Sequence, residues 1–218
     1  MKSPPIQAVI FDMDGVIVDS EPLHERAYRE IFREMGYGDA HGIHFPDYYG
    51  KTDRALWVDF IARHRPRQSI DELLAWKQKR LIDFLRDEEP LFEKLPDLVE
   101  KLAAHYPLAI ASGSAHPVID EVLAIRQLRR FFSVLVSSTD VPHGKPAPDV
   151  FLRAAALLEV PPARCVVVED SIAGVEGALA AGMRVIAIAN TVRPDQLVRA
   201  TRVVRTYEEI ERLLLPHG

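Results

Sequence analysis

Five short, continuously apolar runs constrain the fold of this chain more than any other feature of its sequence. They are AVIF at 8–11, LAIA at 108–111, VLV at 134–136, CVVV at 165–168 and VIAI at 185–188. Continuous runs of this kind are typical of strands buried on both faces, as in a parallel sheet covered by helices. Amphipathic segments at 96–105, 116–128 and 148–158 separate the later runs. This alternation predicts an α/β domain with a doubly wound, Rossmann-like parallel sheet.

The stretch between the first and second runs interrupts the alternation, because it contains three helical patterns and no strand-like run. The first pattern begins near Leu23, the second covers roughly 53–64, and the third begins at the capping box formed by Ser69 and Glu72. A helical block of about 70 residues after the first strand is most simply an inserted all-helical cap. We therefore expect an α/β core made of residues 1–19 and 90–218, and a helical cap made of residues 20–89.

The composition indicates an ordinary globular protein and excludes several classes of partner. Hydrophobic residues make up 48% of the 218 residues and charged residues 27%, which argues against disorder. The net charge of −5 provides no basic field for nucleic acid or an anionic membrane. No run approaches the roughly 18 apolar residues of a membrane span, and the single cysteine, Cys165, is interpreted as a small buried hydrophobe. We expect a monomeric, cytoplasmic protein.

Polar residues follow four of the five apolar runs, at the points where the predicted strands end. Ligands of an open α/β sheet bind beyond the carboxyl ends of its strands, so these residues are predicted to share one crevice. They are Asp12 and Asp14 after the first run, Ser112, Gly113 and Ser114 after the second, Lys145 in the loop after the third, and Glu169 with Asp170 after the fourth. Carboxylates, a hydroxyl and an ammonium at one edge of a sheet indicate a functional site.

The chemistry of this crevice is suggested by the repulsion among its carboxylates. Each carboxylate raises the cost of ionising the next, and a divalent cation relieves that repulsion. Mg²⁺ prefers such hard oxygen ligands and shares its shell with water and phosphate. A nucleophilic carboxylate such as Asp12 needs a cation beside it to approach an anionic phosphate, and a second acid two positions on, Asp14, can protonate the leaving oxygen and then activate water. The spacing thus points to phosphate-ester chemistry with Mg²⁺ as cofactor.

Four segments, in this order, resemble the motifs of the haloacid dehalogenase superfamily, in its subgroup with a small helical cap. The segments are DMDGVIVDS, ASGS, GKPAPD and VVVEDSIAGVEGALAAGM, and the members that they resemble most are sugar-phosphate phosphatases and β-phosphoglucomutase-like enzymes. The resemblance implies that Asp12 is the nucleophile, which forms an aspartyl phosphate and binds Mg²⁺. It implies that Asp14 is the general acid/base, with its backbone carbonyl on the metal.

The same resemblance implies roles for the other strand-end residues. Ser112 and Lys145 would hold the phosphoryl oxygens, helped by backbone N–H groups around Gly113. Asp170 would be a metal ligand, and Glu169 either a direct ligand or a residue behind the ligands. The partner implied is a small phosphate ester, most simply a sugar or polyol phosphate.

The acid at position 14 helps to choose among the activities of the superfamily. Its dehalogenases lack this acid and its phosphonate-cleaving members carry a small residue there, so Asp14 favours phosphate-ester chemistry. A phosphatase is the leading interpretation, and a hexose phosphomutase of the β-phosphoglucomutase type is the alternative. A signalling receiver domain is disfavoured, because receivers have no use for a helical cap.

Residues of the cap are expected to choose the substrate by closing over the site. Ser20 and His24 lie four apart and would share a helix face. In mutase relatives a hydroxyl and a histidine at this spacing position the general acid/base, but plain phosphatases carry the same DSEPLH segment. The other candidates are Lys51, Arg54 and Lys77. Tyr49 stands where the mutase pattern has a lysine before its glycine, which weakens the mutase interpretation.

Overall fold

The computed structural model describes residues 4–48 and 52–215, and it contains a six-stranded parallel sheet in the order β3-β2-β1-β4-β5-β6. The strands are Ala8–Phe11 (β1), Leu108–Ser112 (β2), Phe132–Ser137 (β3), Cys165–Glu169 (β4), Arg184–Ile188 (β5) and Arg202–Val204 (β6). The predicted doubly wound, Rossmann-like α/β fold is therefore confirmed. Each of the five apolar runs lies in a strand, while β6, a short strand at the edge of the sheet, was not predicted.

Eight α-helices accompany the sheet in the described part of the chain. They are Glu21–Glu34 (α1), Asp53–His64 (α2), Ile70–Glu88 (α3), Leu95–Ala103 (α4), His116–Ala124 (α5), Asp149–Leu157 (α6), Ile172–Ala180 (α7) and Tyr207–Leu214 (α8). None of the helices in these described ranges is long and apolar enough to cross a membrane.

Burial of β1 on both faces explains why its sequence does not alternate between apolar and polar residues. Val9 and Phe11 belong to a core that includes residues of α4, α5 and α8, whereas Ala8 and Ile10 belong to a second core with residues of α6 and α7. Successive side chains of a strand point to opposite faces, so a strand covered on both faces needs apolar residues throughout. Cys165 is fully buried in the second core, as predicted.

The helices α1, α2 and α3 have an aromatic core of their own. Tyr28, Phe32, Trp57 and Phe60 pack against one another with ring centroids 4.6 to 6.2 Å apart. Trp57 is fully buried in this core, where it packs among the other rings. The end of α3 reaches the sheet, because Leu85 is part of the core on the first face. The helical block is therefore anchored to the sheet while its aromatic core lies apart from it.

The structure corrects one local expectation about helix boundaries and confirms another. The helix predicted over 116–128 ends at Ala124, because Arg126 and Gln127 adopt positive φ values of 49° and 55° that interrupt helical geometry. Thr52 stands directly before α2, but its side chain makes no capping hydrogen bond. The capping box at Ser69 is present in full and begins α3.

Candidate active site

The carboxyl ends of the central strands bring the predicted polar residues together. Asp12 directly follows β1, and its backbone N–H donates to Val168 of β4 at 2.9 Å. Ser112 and Glu169 are the last residues of β2 and β4, the two strands that flank β1. Because the strands are parallel, their carboxyl ends open on the same edge of the sheet. The expected crevice is thus formed by β1, β2 and β4.

Lys145 lies between two of the buried carboxylates. Its Nζ donates to Asp12 Oδ1 and to Glu169 Oε1, both at 2.6 Å. Glu169 Oε2 accepts hydrogen bonds at 2.9 Å from the backbone N–H groups of Asp170 and Ser171 and from the Ser171 hydroxyl. Both oxygens of Glu169 are therefore occupied by protein donors. This arrangement fits a residue that orients its neighbours better than a direct metal ligand.

Two carboxylates of this cluster, Asp12 and Asp170, have raised pKa values. Burial, together with the charge of Glu169, raises the pKa of Asp12 to about 8 although Lys145 opposes the shift. Burial, Glu169 and Asp12 raise the pKa of Asp170 well above its usual value. One ligand atom from each of Asp12, Glu169 and Asp170 lies within 4.8 Å of the others. The oxygens of Asp12 and Asp170 are hard donors that fit a divalent cation such as Mg²⁺, whose charge favours their ionised forms.

The turn after Asp14 and a hydroxyl after β5 hold Asp170 in place. Gly15 has φ +77°, and a Cβ built on it would lie 1.8 Å from Asp170 Oδ2. The Thr191 hydroxyl donates a hydrogen bond to the same oxygen. Only glycine leaves space for this carboxylate while adopting the left-handed conformation of the turn.

Asp14 receives a different set of contacts, which favour its ionised form. Ser20 Oγ donates to Oδ1 at 2.5 Å, Ser114 Oγ donates to Oδ2 at 2.8 Å, and His24 Nε2 lies 3.5 Å from Oδ1. Burial opposes ionisation, but the contacts with His24, Ser20 and Ser114 hold the pKa of Asp14 well below its usual range. Ser112 Oγ lies 3.5 Å from Oδ2 and accepts the Ser114 backbone N–H at 3.0 Å. Asp12 and Asp14 therefore differ in environment although two positions separate them.

A buried polar network connects Asp14 to the helices α2 and α3. Lys77 is fully buried, and its Nζ lies 2.7 Å from His24 Nδ1 and 2.8 Å and 2.9 Å from the oxygens of Asp53. Asp53 Oδ1 also accepts the Tyr28 hydroxyl at 2.6 Å. An ammonium can only donate, so Nδ1 of His24 accepts and the ring proton of the neutral form lies on Nε2, toward Asp14. His24 thus connects the Lys77 ammonium with the Asp14 carboxylate.

A cavity of about 1150 Å³ lies between the sheet edge and the helical block. Asp12, Asp14, Gly113, Lys145 and Asp170 line it from the sheet. From the helical block, the residues that line it include His24, Asp53 and Arg54.

The candidates from the helical block do not all reach this cavity. Ser20 contacts Asp14 without lining the cavity, and Arg54 is exposed and donates to Asp71 at 3.0 Å. Lys51 lies outside the described residues.

The sequence reasoning did not select Thr191 or Asp53 as site residues, and it grouped Ser114 with Ser112 at a strand end without giving it a role of its own. Thr191 follows the fifth apolar run, so the rule applied to the other four strand ends, polar residues directly after a strand, was sufficient to find it. Ser114 was visible in the ASGS segment beside Ser112. Asp53 had no signal, because an aspartate at the first position of a helix is an ordinary feature of helix starts.

Comparison with known proteins identifies relatives over most of the chain. The haloacid dehalogenase-like hydrolase family model matches residues 6–182. Fructose-1-phosphate phosphatase YqaB of Escherichia coli (strain K12) is 35% identical over 177 residues, which are 80% of this chain and 92% of that protein. Hexitol phosphatase B of the same organism is 33% identical over 186 residues, which are 84% of this chain and 83% of that protein.

A solved structure with the same architecture is that of CbbY from Rhodobacter sphaeroides. A crystal structure of a CbbY mutant in complex with xylulose-(1,5)bisphosphate superposes with a TM-score of 0.81. The two sequences are 25% identical, and the match covers 94% of this chain and 96% of that chain. The similarity therefore includes both the sheet and the helical block.

Proposed function

The chain belongs to the haloacid dehalogenase-like hydrolase family, and from this premise we propose that it is a Mg²⁺-dependent phosphatase of a small sugar or polyol phosphate that works through an aspartyl phosphate. The family membership confirms the resemblance found in the four motifs. Phosphoric monoester hydrolysis is the activity in the names of the relatives from Escherichia coli, fructose-1-phosphate phosphatase and hexitol phosphatase. Both names describe phosphorylated carbohydrates, which supports this substrate class for the chain.

The observation that carries the proposal is the pairing of two unlike carboxylates on one cavity. Asp12 accepts a hydrogen bond from the Lys145 ammonium and has a ligand oxygen within 4.8 Å of those of Glu169 and Asp170, whereas Asp14 contacts hydroxyls and an imidazole. In the first step the nucleophile must be ionised and the general acid protonated, which is the reverse of the states that these contacts alone favour. A bound cation beside Asp12 and the anionic ester beside Asp14 would shift the two pKa values in the required directions. The cavity that both residues line has room for a hexose-sized ester.

The proposed reaction takes place in two steps. An oxygen of Asp12 attacks phosphorus, the ester P–O bond breaks, and Asp14 gives its proton to the leaving alkoxide. Asp14 then takes a proton from water, the hydroxide attacks phosphorus, and inorganic phosphate leaves as Asp12 is regenerated. An anionic phosphoryl group beside Asp14 raises the pKa of this carboxyl, so binding of the ester favours the protonated form that the first step needs.

Asp12 and Asp170 would hold the cation, with the backbone carbonyl of Asp14 as the third protein ligand that the family motif implies. A bound Mg²⁺ supplies positive charge that offsets the repulsion between the phosphoryl group and the acids. The chain's own cation, Lys145, is placed to hold phosphoryl oxygens beside Asp12. Ser112 and the backbone around Gly113 complete the proposed phosphate site.

We also propose the division of labour between the two parts of the chain. Residues 1–19 and 90–218 form the catalytic core, and residues 20–89 form a cap that covers the substrate. The network through Lys77 and His24 supports this division, since it connects residues of the cap with the acid of the core. Closure of such a cap excludes water during the first step.

The test is an assay of phosphate release in Mg²⁺ on a panel of sugar, polyol and nucleoside monophosphates. We expect turnover of a narrow group of sugar or polyol phosphates, and loss of turnover when the metal is chelated. Asp12→Asn keeps the shape of the side chain but removes the nucleophile, so kcat/KM is expected to fall by at least about a thousandfold. Asp83→Asn, the same change on the exposed surface of α3, is the matched control. An Asp12→Asn protein that keeps most of its activity would show that the nucleophile is wrongly assigned.

A hexose phosphomutase is the second candidate, because Ser20 and His24 both contact Asp14 as the mutase relatives would require. A mutase uses the same aspartyl phosphate but returns the phosphoryl group to sugar. Conversion of β-glucose 1-phosphate to glucose 6-phosphate with little phosphate released would favour the mutase over the phosphatase.

A further inference from the structure

The carboxylate of Asp53 forms part of the cavity wall opposite the sheet. It stands at the first position of α2 and lines the same cavity as Asp12 and Asp14. About a third of its side chain (34%) is exposed. Its Oδ1 lies 3.9 Å from Nδ1 of His24, whose Nε2 lies 3.5 Å from Asp14. One imidazole ring therefore separates Asp53 from the proposed general acid, which puts Asp53 within reach of the far end of a hexose-sized substrate.

The positive charge nearest to Asp53, the Lys77 ammonium, is not accessible to a substrate in the cavity. Lys77 is fully buried, and its ammonium donates to both oxygens of Asp53 and to His24. Lys77 is absent from the cavity lining within the described residues. A ligand at this wall therefore meets the exposed edge of the Asp53 carboxylate and not the ammonium behind it.

Other acids on α1 strengthen the negative character of this wall. Glu21 and Glu25 line the cavity beside His24. Among the described residues, the exposed cations in the lining, Arg54 and Arg193, are paired with Asp71 and Asp195. Glu25 is itself paired with Arg29 at 2.7 Å, so a second phosphate would have to approach the carboxylates of Asp53 and Glu21 or displace an acid from an arginine. Hydroxyl groups meet no such penalty, because carboxylate oxygens accept hydrogen bonds from them.

We propose that Asp53 is a specificity-determining residue that selects monophosphates of neutral sugars or polyols and rejects esters with a second phosphate at the far end. This inference rests on the proposed function and narrows its substrate class. It also separates the chain from CbbY, whose structure contains a bisphosphate. It disfavours mutase chemistry as well, because transfer between two positions of one sugar passes through a bisphosphate.

The test compares substrates that differ by one phosphate. The pairs are fructose 1-phosphate with fructose 1,6-bisphosphate, and glucose 6-phosphate with glucose 1,6-bisphosphate, assayed for phosphate release in Mg²⁺. The wild-type kcat/KM is expected to favour the monophosphate by at least about tenfold. Asp53→Asn keeps the shape of the side chain and an oxygen to accept from Lys77 and Tyr28, but removes the charge. It is expected to raise the bisphosphate-to-monophosphate ratio of kcat/KM by about tenfold.

The bisphosphate-to-monophosphate ratio of kcat/KM distinguishes a change in substrate selection from general damage to the active site. A disturbance of Lys77 or His24 lowers turnover of both members of a pair and cancels in the ratio. Asp83→Asn makes the same charge change on the exposed surface of α3, and its ratio is expected to stay within about twofold of wild type. The wild-type preference needs no variant, so it tests the proposal even if Asp53→Asn does not fold.

The outcomes distinguish this inference from the proposed function. Release of phosphate from neither member of either pair, nor from any other sugar or polyol phosphate of the panel, would contradict the proposed function itself. Turnover of a monophosphate with an equal or better rate on its bisphosphate, or with an unchanged ratio in a folded Asp53→Asn protein, would overturn only the role of Asp53. If Arg54→Gln reduced a wild-type preference for the bisphosphate, the far end of the cavity would be a second phosphate site and the inference would be wrong.

Discussion

Lys145 Nζ lies 2.6 Å from Asp12 Oδ1, so the proposed nucleophile has a cation of the chain itself beside it. Burial acts against the charged form of Lys145, but Asp12 and Glu169 hold its pKa above the usual value. The ammonium therefore stays charged inside a cluster of acids. The positive charge of Lys145 offsets the repulsion among the buried acids when no other cation is bound. Lys145 is therefore expected to contribute both to the stability of the fold and to the proposed function.

Replacement of Lys145 by methionine is expected to lower the free energy of unfolding by about 3 kcal/mol, because it leaves buried acids without their counter-ion. Mg²⁺ should raise the melting temperature of this variant more than that of the wild type, since the ion would compensate the same carboxylates. Lys101→Met removes an exposed lysine that pairs with Glu211 and should cost less than about 1 kcal/mol. Thermal unfolding with and without Mg²⁺ measures both effects, and equal stability of Lys145→Met and wild type without Mg²⁺ would contradict the argument.

Alanine at position 15 is expected to disturb metal binding, because its Cβ would overlap Asp170 Oδ2. Gly36 is a matched control: its φ of +85° resembles that of Gly15, and nothing lies within 4 Å of the position that its Cβ would take. Both substitutions introduce backbone strain of about 1 kcal/mol, but only Gly15→Ala should weaken the effect of Mg²⁺ on thermal unfolding. Equal Mg²⁺ responses in the two variants would argue against a role for Asp170 as a metal ligand.

Thr191→Val is expected to weaken Mg²⁺ binding by about tenfold, because it removes the hydroxyl that fixes the Asp170 carboxylate and keeps the size of the side chain. Thr191→Ser retains the hydroxyl and should restore most of the affinity. The measurement is the Mg²⁺ concentration needed for half of the maximal shift in melting temperature. Similar values for the valine and serine variants would show that the hydroxyl does not position the ligand.

The ion pair between Asp53 and Lys77 is expected to make stability depend on pH in the acid range. Burial opposes the charge of Asp53, but Lys77 and His24 hold its pKa below the ordinary value of 3.8. A carboxyl with a depressed pKa in the folded state stabilises the fold above its unfolded pKa, and this contribution is lost as the pH falls through the folded value. The wild type should therefore exceed Asp53→Asn in unfolding free energy by a constant amount above about pH 5, and by progressively less below about pH 4. Urea titrations over this range measure the difference, which should not change with pH if the ion pair contributes nothing.

The parallel sheet could be predicted because burial on both faces imposes a direct requirement on sequence. Val9, Ile10 and Phe11 are apolar in succession because helices pack against both faces of β1. The edge strand β6 was not predicted because it is not buried along its whole length. Arg202 is exposed at its start, and an edge strand does not require a continuous apolar run.

The proposed site could be predicted where its residues follow strands, and not where they meet across the fold. Asp12, Ser112 and Glu169 stand at strand ends, which the apolar runs mark. Asp53 and Lys77 belong to different helices, and nothing in either helix indicates that the two side chains meet. Their pairing depends on how α2 packs against α3.

The sequence by itself determined the class of fold, the edge at which the polar residues gather and the family to which the chain belongs. All three follow from local patterns, because buried strands and short motifs can be recognised from consecutive residues. Only the tertiary structure decided that β4 lies beside β1, which places Asp170 next to Asp12, and that Lys77 is buried behind Asp53. Such contacts depend on strand order and helix packing, in which residues far apart in the chain satisfy each other's charge.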